Sequence, residues 1–197
     1  MTVFERERPA PIGDADRVRL PGDIHMWVMV LGDLFFFGCY FLTYMVFRAR
    51  SPETFAAGQQ HLNMAVGVAN TVVLLSSSLL AALAVLEVRR GESVVARRLL
   101  LAAGACGAVF AALKFYEWQH AIAAGLTLSE EFFSFYYVLT GVHLAHLLLG
   151  LLILGIVGRH LRAGARPNAA LVEQGALYWH MVDLLWIVLF AILYLMR

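Results

Sequence analysis

Residues 132–158 read FFSFYYVLTGVHLAHLLLGLLILGIVG, a run without a single Asp, Glu, Lys or Arg. A bilayer core about 30 Å thick is crossed by roughly 20 apolar residues in a helix. The run is long enough to span, and His143 and His146 stand out inside it. Four further stretches read the same way: residues 24–47, 62–86, 96–120 and 176–196. The expected fold class is therefore all-α, an integral membrane bundle of five transmembrane helices over residues 24–197. A polar segment, residues 1–23, precedes it and holds three of the five prolines.

Composition agrees with lipid as the solvent. The chain is 61% hydrophobic and 15% charged, with mean hydropathy +0.73. A soluble domain is about 45–50% apolar and about 25% charged. The net charge of +1 is too small to suggest a nucleic-acid partner. Cys39 and Cys106 lie inside apolar runs and show no paired-ligand spacing. No cleavable leader pattern is recognisable, because no basic region leads directly into a short apolar stretch with a small-residue cleavage site. The first span is expected to be retained. The connections read as short and polar, with Arg50-Ser51-Pro52-Glu53, Arg89-Arg90-Gly91-Glu92 and Ala165-Arg166-Pro167-Asn168 as punctuation.

Arginine placement sets the expected orientation. Arg6, Arg8, Arg17 and Arg19 precede span one; Arg89, Arg90, Arg97 and Arg98 flank the second connection; Arg159, Arg162 and Arg166 flank the fourth. These fall on one side of a five-helix protein. The other side has Arg48, Arg50 and Arg197, together with Glu130 and Glu131. Cytoplasmic loops carry the excess of basic residues, which predicts a cytoplasmic N-terminus and an outside C-terminus.

The informative residues are the polar ones within the spans: Asp33, Lys114, Glu117, His143, His146, His180 and Asp183. A charge near the bilayer centre costs roughly 2.5–3.5 kcal/mol on insertion scales. Such groups face the bundle interior, water or one another. Lys114 and Glu117 are three apart and are expected to form an intramembrane ion pair. His143 with His146, and His180 with Asp183, have the same spacing and are each expected to point at a neighbouring helix as a small polar cluster. Asp33 lies roughly nine residues into its span, about 13 Å deep at 1.5 Å per residue. Depth disfavours its charged form, so it is expected to be protonated or hydrogen-bonded to a neighbouring helix.

Residue chemistry alone leaves several readings open. The polar groups join helices by hydrogen bonds; or the imidazoles, counting His120, ligate a metal or haem in a membrane b-type cytochrome; or Asp33, Asp183 and the histidines relay protons or cations; or the groups serve a lipid or partner. Two histidines on one helix with few carboxylates are a poor di-metal set. A chain with no inverted repeat is a poor transporter. Gly141, Gly150, Gly155, Gly158 and Ser76-Ser77-Ser78 are expected to allow close helix packing. Trp27, Tyr44, Trp118, Tyr178, Trp179 and Tyr194 read as an interfacial aromatic belt, and Met26, Met29 and Met45 as core filler.

Five motifs carry a resemblance. Span one has Gly32-Asp33-Leu34-Phe35-Phe36-Phe37, span two Asn70-Thr71 followed by Ser76-Ser77-Ser78, and span three Lys114-Phe115-Tyr116-Glu117-Trp118. Span four has Phe135-Tyr136 leading to Thr140-Gly141-Val142-His143-Leu144-Ala145-His146, and span five Tyr178-Trp179-His180-Met181-Val182-Asp183-Leu184-Leu185-Trp186. In order, each on its own helix, these resemble subunit III of the haem-copper oxidases, the cytochrome c oxidase subunit III family. Many members have seven helices, and this chain looks like a short form lacking the first two. It departs from the family at Asp33, where oxidases usually have Glu, and at Lys114, where the family typically has Gln. The entry motif Pro21-Gly22-Asp23-Ile24-His25-Met26-Trp27, the short connections and Lys114 look most like the NorE-type branch found with nitric oxide reductases.

The resemblance implies a non-catalytic accessory subunit in the bacterial inner membrane, with no catalytic residue, metal ligand or directly bound cofactor of its own. Haem and copper or iron would belong to the partner, a catalytic haem-copper subunit of an oxidase or nitric oxide reductase. The family holds structural phospholipid in a helix cleft and supports proton uptake and sustained turnover. Asp33 matches the family's buried carboxylate that reacts with carbodiimides. Glu117, His143, His146, His180, Asp183 and Trp186 match its polar seam, and these with Asp33 are the candidates for the lipid or proton network.

Overall fold

The computed structural model of the chain describes residues 24–162 and 168–196. The polar segment 1–23 and most of the fourth connection lie outside the described residues. The order is α1 (Ile24–Arg50), α2 (Pro52–Gln60), α3 (Met64–Arg89), α4 (Ser93–Ala123), α5 (Glu131–Arg162) and α6 (Ala169–Phe190), which ends in a wider π turn at Ala191–Leu195. Among the described residues there is no strand. Five of the helices, all but α2, are long and apolar enough to cross a membrane.

The helices run past the apolar stretches, because a helix ends at its caps rather than at the hydrocarbon boundary. Asn63 caps α3, its side chain accepting from the amides of Ala65 at 3.0 Å and Val66 at 3.4 Å. Asn168 caps α6 by accepting from Leu171 at 3.4 Å, so the last helix starts seven residues before the expected position 176. Gly91 and Gly125, with φ of +87° and +82°, close the turns after α3 and α4 in a conformation that favours glycine.

The first connection departs from expectation. It is helical, with Pro52 in the first turn, where a missing amide costs nothing. Phe55 of α2 is fully buried against Tyr44 and Phe132, at centroid distances of 5.3 and 5.9 Å. A polar reading of Arg50-Ser51-Pro52-Glu53 could not show this, because the apolar anchor follows two residues later.

α3, α4, α5 and α6 form the core, with α6 packed on both α3 and α5. On α3 the buried residues are Gly67, Asn70, Leu74, Ser77, Ala81, Ala84 and Val88, one continuous stripe at three- and four-residue spacing. α1 buries only Val30, Phe37 and Tyr44, one residue every seven, and presents Leu31, Phe35, Phe36 and Leu42 outward.

The position of α6 overturns the aromatic-belt reading for four residues. Tyr44, Tyr178, Trp179 and Tyr194 are 0–2% exposed. They belong to the core because α6 is the central element and its span begins at Ala169, which places Tyr178 and Trp179 well inside it. The indole of Trp179 lies between α4 and α5, where a Cβ at Gly107 or Gly150 would come within 2.6 or 2.8 Å of its ring. Of the four glycines expected to tighten α5, Gly155 and Gly158 have nothing within 4 Å of a Cβ position. Only Gly150 is required by a close approach.

Candidate functional site: a divided polar seam

The polar residues of the spans fall into four groups along the bundle. The first joins α4 to the C-terminal π turn. Lys114 Nζ donates to Glu117 Oε2 at 2.7 Å and to the Tyr194 hydroxyl at 3.0 Å. Tyr194 in turn donates to Glu117 Oε1 at 2.6 Å. Lys114 is 1% exposed and Glu117 8%. The ammonium also faces the rings of Trp186 at 4.7 Å and of Tyr136 and Tyr194 at 5.4 Å, which offers a desolvated cation further attraction. The Tyr136 hydroxyl sits beside Glu117 and Tyr194 without a well-formed hydrogen bond of its own. Gly67 makes the arrangement possible, since a Cβ there would meet Tyr194 and Phe190 at 2.9 Å.

The second group is a cage around His143. Its ring packs 5.6 Å from Phe110 and 5.4 Å from Trp186, and those two rings are 4.6 Å apart. Trp186 donates to Thr71 at 3.1 Å. Neither nitrogen of His143 has a hydrogen-bond partner among the described residues, nor does either polar atom of the buried Asn70 side chain.

The third group lies between α1 and α5. His146 Nδ1 contacts the Val142 carbonyl at 2.8 Å, and Nε2 lies 3.6 Å from Asp33 Oδ1. The Asp33 side chain is 28% exposed. The fourth lies between α3 and α6, where Ser78 Oγ and His180 Nδ1 are 2.6 Å apart. Asp183 is adjacent to Ser78 and 3% exposed, and neither of its carboxylate oxygens has a hydrogen-bond partner among the described residues.

The expected pair on α5 therefore separates, whereas both members of the α6 pair lie beside Ser78 of α3. Three residues turn a helix through 300°, which leaves the two members of each pair about 60° apart. His143 points into the aromatic cage while His146 turns toward α1; on α6, His180 meets Ser78 and Asp183 lies beside the same serine. Lys114 and Glu117 meet because both side chains are long enough to close that angle. Asp33 is part-exposed at the side of the bundle and faces His146 of the neighbouring helix α5.

Residues 17–197 match the family model for cytochrome c oxidase subunit III. The chain belongs to the cytochrome c oxidase subunit III family. It is 34% identical over 159 residues to "Cytochrome c oxidase subunit 3" of Synechocystis sp., covering 79% of this chain and 67% of that one. It is 32% identical to the protein of the same name from Corynebacterium diphtheriae, covering 86% and 85%. It is also 30% identical to "Heme-copper oxidase subunit I+III" of Aeropyrum pernix, covering 86% of this chain and 22% of that longer one.

In this subunit III the sequence reading missed the partners that complete each group. The sequence places Tyr194 with the belt, Ser78 among the small packing residues and Asn70 within a motif. Gln59 left no sequence signal. It is 2% exposed and donates to the carbonyls of Ile192 at 3.2 Å and Leu193 at 3.0 Å. Helix ends leave carbonyls without internal partners, and here α2 supplies the donor.

Proposed function

We propose that this subunit III is a non-catalytic accessory subunit of a bacterial haem-copper respiratory complex. It packs against the catalytic subunit, steadies it, and supports its proton uptake and turnover. The fused relative carries this reading: in Aeropyrum pernix a segment similar to this chain belongs to a protein named as subunit I and III together. Haem and metal then belong to the partner. The relatives named above are oxidase subunits, which favours oxygen over nitric oxide as acceptor.

The complex lies in the inner membrane with the N-terminus cytoplasmic, as the arginine distribution requires. α1 supports the docking role. It buries only Val30, Phe37 and Tyr44 fully and presents Leu31, Phe35, Phe36 and Leu42 outward, a face that suits a partner helix or phospholipid. Asp33 and His146 sit at the edge of that surface. They and the candidates Glu117, His143, His180, Asp183 and Trp186 act as a polar seam rather than as redox ligands.

A mild-detergent pull-down of the tagged chain from its native membrane, with an optical spectrum of the eluate, tests the reading. A haem-rich partner must co-purify while the separated chain is colourless, and the partner's acceptor then decides between oxygen and nitric oxide. A coloured isolated chain, or one that comes down alone, overturns it.

A further inference from the structure

A cavity of about 240 Å³ opens at the bundle end formed by the α2–α3 connection and the end of α4. Its polar lining is His61, Asn63, Tyr116, His120 and, at its inner limit, Glu117. His61 and His120 are exposed. The same carboxylate that borders the cavity holds Lys114 and Tyr194 on its other side. Glu117 is thus the boundary between solvent and the buried cluster. We propose that Glu117 is a proton-exchange site reached from the aqueous phase through the His61–His120 cavity, and that a proton taken up there weakens the hold of α4 on Tyr194, and with it on the C-terminal turn. This inference stands apart from the choice of partner complex.

The chemistry is a single protonation. Water in the cavity delivers a proton to one Glu117 oxygen, and the carboxylate becomes a neutral acid. One of its two acceptor positions is lost, and the other no longer carries the charge that makes a hydrogen bond short and strong. Tyr194 keeps its own proton, its bond to Glu117 loses the charge that strengthened it, and the Lys114 bond at 3.0 Å remains. Lys114 remains in contact with the faces of Trp186 and Tyr136, so its ammonium retains partners while Glu117 is neutral. Every neighbouring element is accounted for. α4 presents Lys114, Tyr116 and His120, α5 presents Tyr136, Tyr137 and His143, the π turn presents Tyr194, and the α2–α3 connection presents His61. The connection also adds the neutral Asn63, and α3 the apolar Val66, to the cavity.

The turn that would be loosened is held from two sides. Tyr194 is its link to α4, and Gln59, Tyr44 and Arg48 bind its carbonyls from the other side. A π turn also carries poorer internal hydrogen bonds than an α-helix and often marks a functional position.

The test uses the full chain in liposomes. Infrared spectra of wild type, Glu117→Gln and Val66→Phe are recorded against external pH, with amide hydrogen exchange of residues 191–196 corrected for intrinsic rates. The expected result is a carboxylate band that disappears on acidification, is absent in E117Q, and is accompanied by several-fold faster exchange of the turn. V66F, which fills the cavity without touching the cluster, is expected to slow the band's response to a pH jump several-fold. A Glu117 band indifferent to external pH, or a response equally fast in V66F, overturns the proposal. If E117Q does not fold, isotope labelling of glutamate in wild type and V66F gives the same decision.

Discussion

Asp33 and His146 face each other between α1 and α5, with Oδ1 3.6 Å from Nε2. The other ring nitrogen of His146 is 2.8 Å from the Val142 carbonyl. A carbonyl only accepts, so Nδ1 carries a proton and a neutral ring presents the lone pair of Nε2 to the carboxyl group. The contact is attractive only when one more proton sits between the two residues, on either side. The pair is then neutral overall, which suits a site at the lipid-facing edge of the bundle.

Removing the Asp33 carboxyl group is expected to change the partner rather than the subunit. Asp33→Asn is expected to leave assembly intact and to lower the turnover or durability of the partner enzyme, with His146→Leu acting in the same direction. Co-purification and activity per haem measure the two effects separately. Disappearance of the whole chain from the membrane in both variants would instead make this a folding contact.

The Lys114–Glu117 pair is expected to behave as a unit. Breaking a buried ion pair from one side costs about 3–5 kcal/mol, because a charge is left without its partner. Lys114→Met is therefore expected to destabilise the chain strongly, and a Lys114→Met, Glu117→Met double variant to recover most of the loss. Thermal unfolding in detergent reads both. Additive losses in the double variant would show that the two residues are not coupled.

Trp179 separates tight glycines from loose ones. A methyl group at Gly107 or Gly150 would collide with the indole, and overpacking of a core costs typically about 1–3 kcal/mol. Gly107→Ala and Gly150→Ala are expected to lower the unfolding temperature, while Gly155→Ala, with open space around it, is expected to leave it unchanged. Equal effects at all three positions would mean that helix propensity, not ring contact, governs them.

Gln59 acts at a distance along the chain. Its amide supplies donors to two carbonyls of the C-terminal turn, and an ordinary hydrogen bond contributes about 0.5–1.5 kcal/mol. Gln59→Leu is expected to loosen residues 191–196 selectively, with faster amide exchange there and unchanged protection in α3 and α4. Uniform loss of protection would assign Gln59 to the core as a whole.

The five spans were legible in the sequence because hydrocarbon imposes a length and a composition on any helix that crosses it. The unbroken run of residues 132–158 needs no tertiary information to be read as a helix. The polar residues were equally legible as interior groups, since Lys114 or Asp183 facing lipid would be too costly. The pairing of Lys114 with Glu117 followed from spacing because both partners lie on one helix.

Which residue met which across helices was decided only by the tertiary structure. Tyr194 reaches Glu117 across 77 positions of sequence and Gln59 reaches Leu193 across 134, and no periodicity carries such a register. The central place of α6 turned Trp179 and Tyr194 from belt residues into core, and the thin contact of α1 left Asp33 at an edge. The physical reason is common to all of these. Sequence determines which faces avoid lipid, because that depends on each side chain alone. The neighbour each face finds depends on how the helices pack, which is set by interlocking contacts such as those of Gly67, Gly107 and Gly150 with the aromatic rings of α6 and its terminal turn.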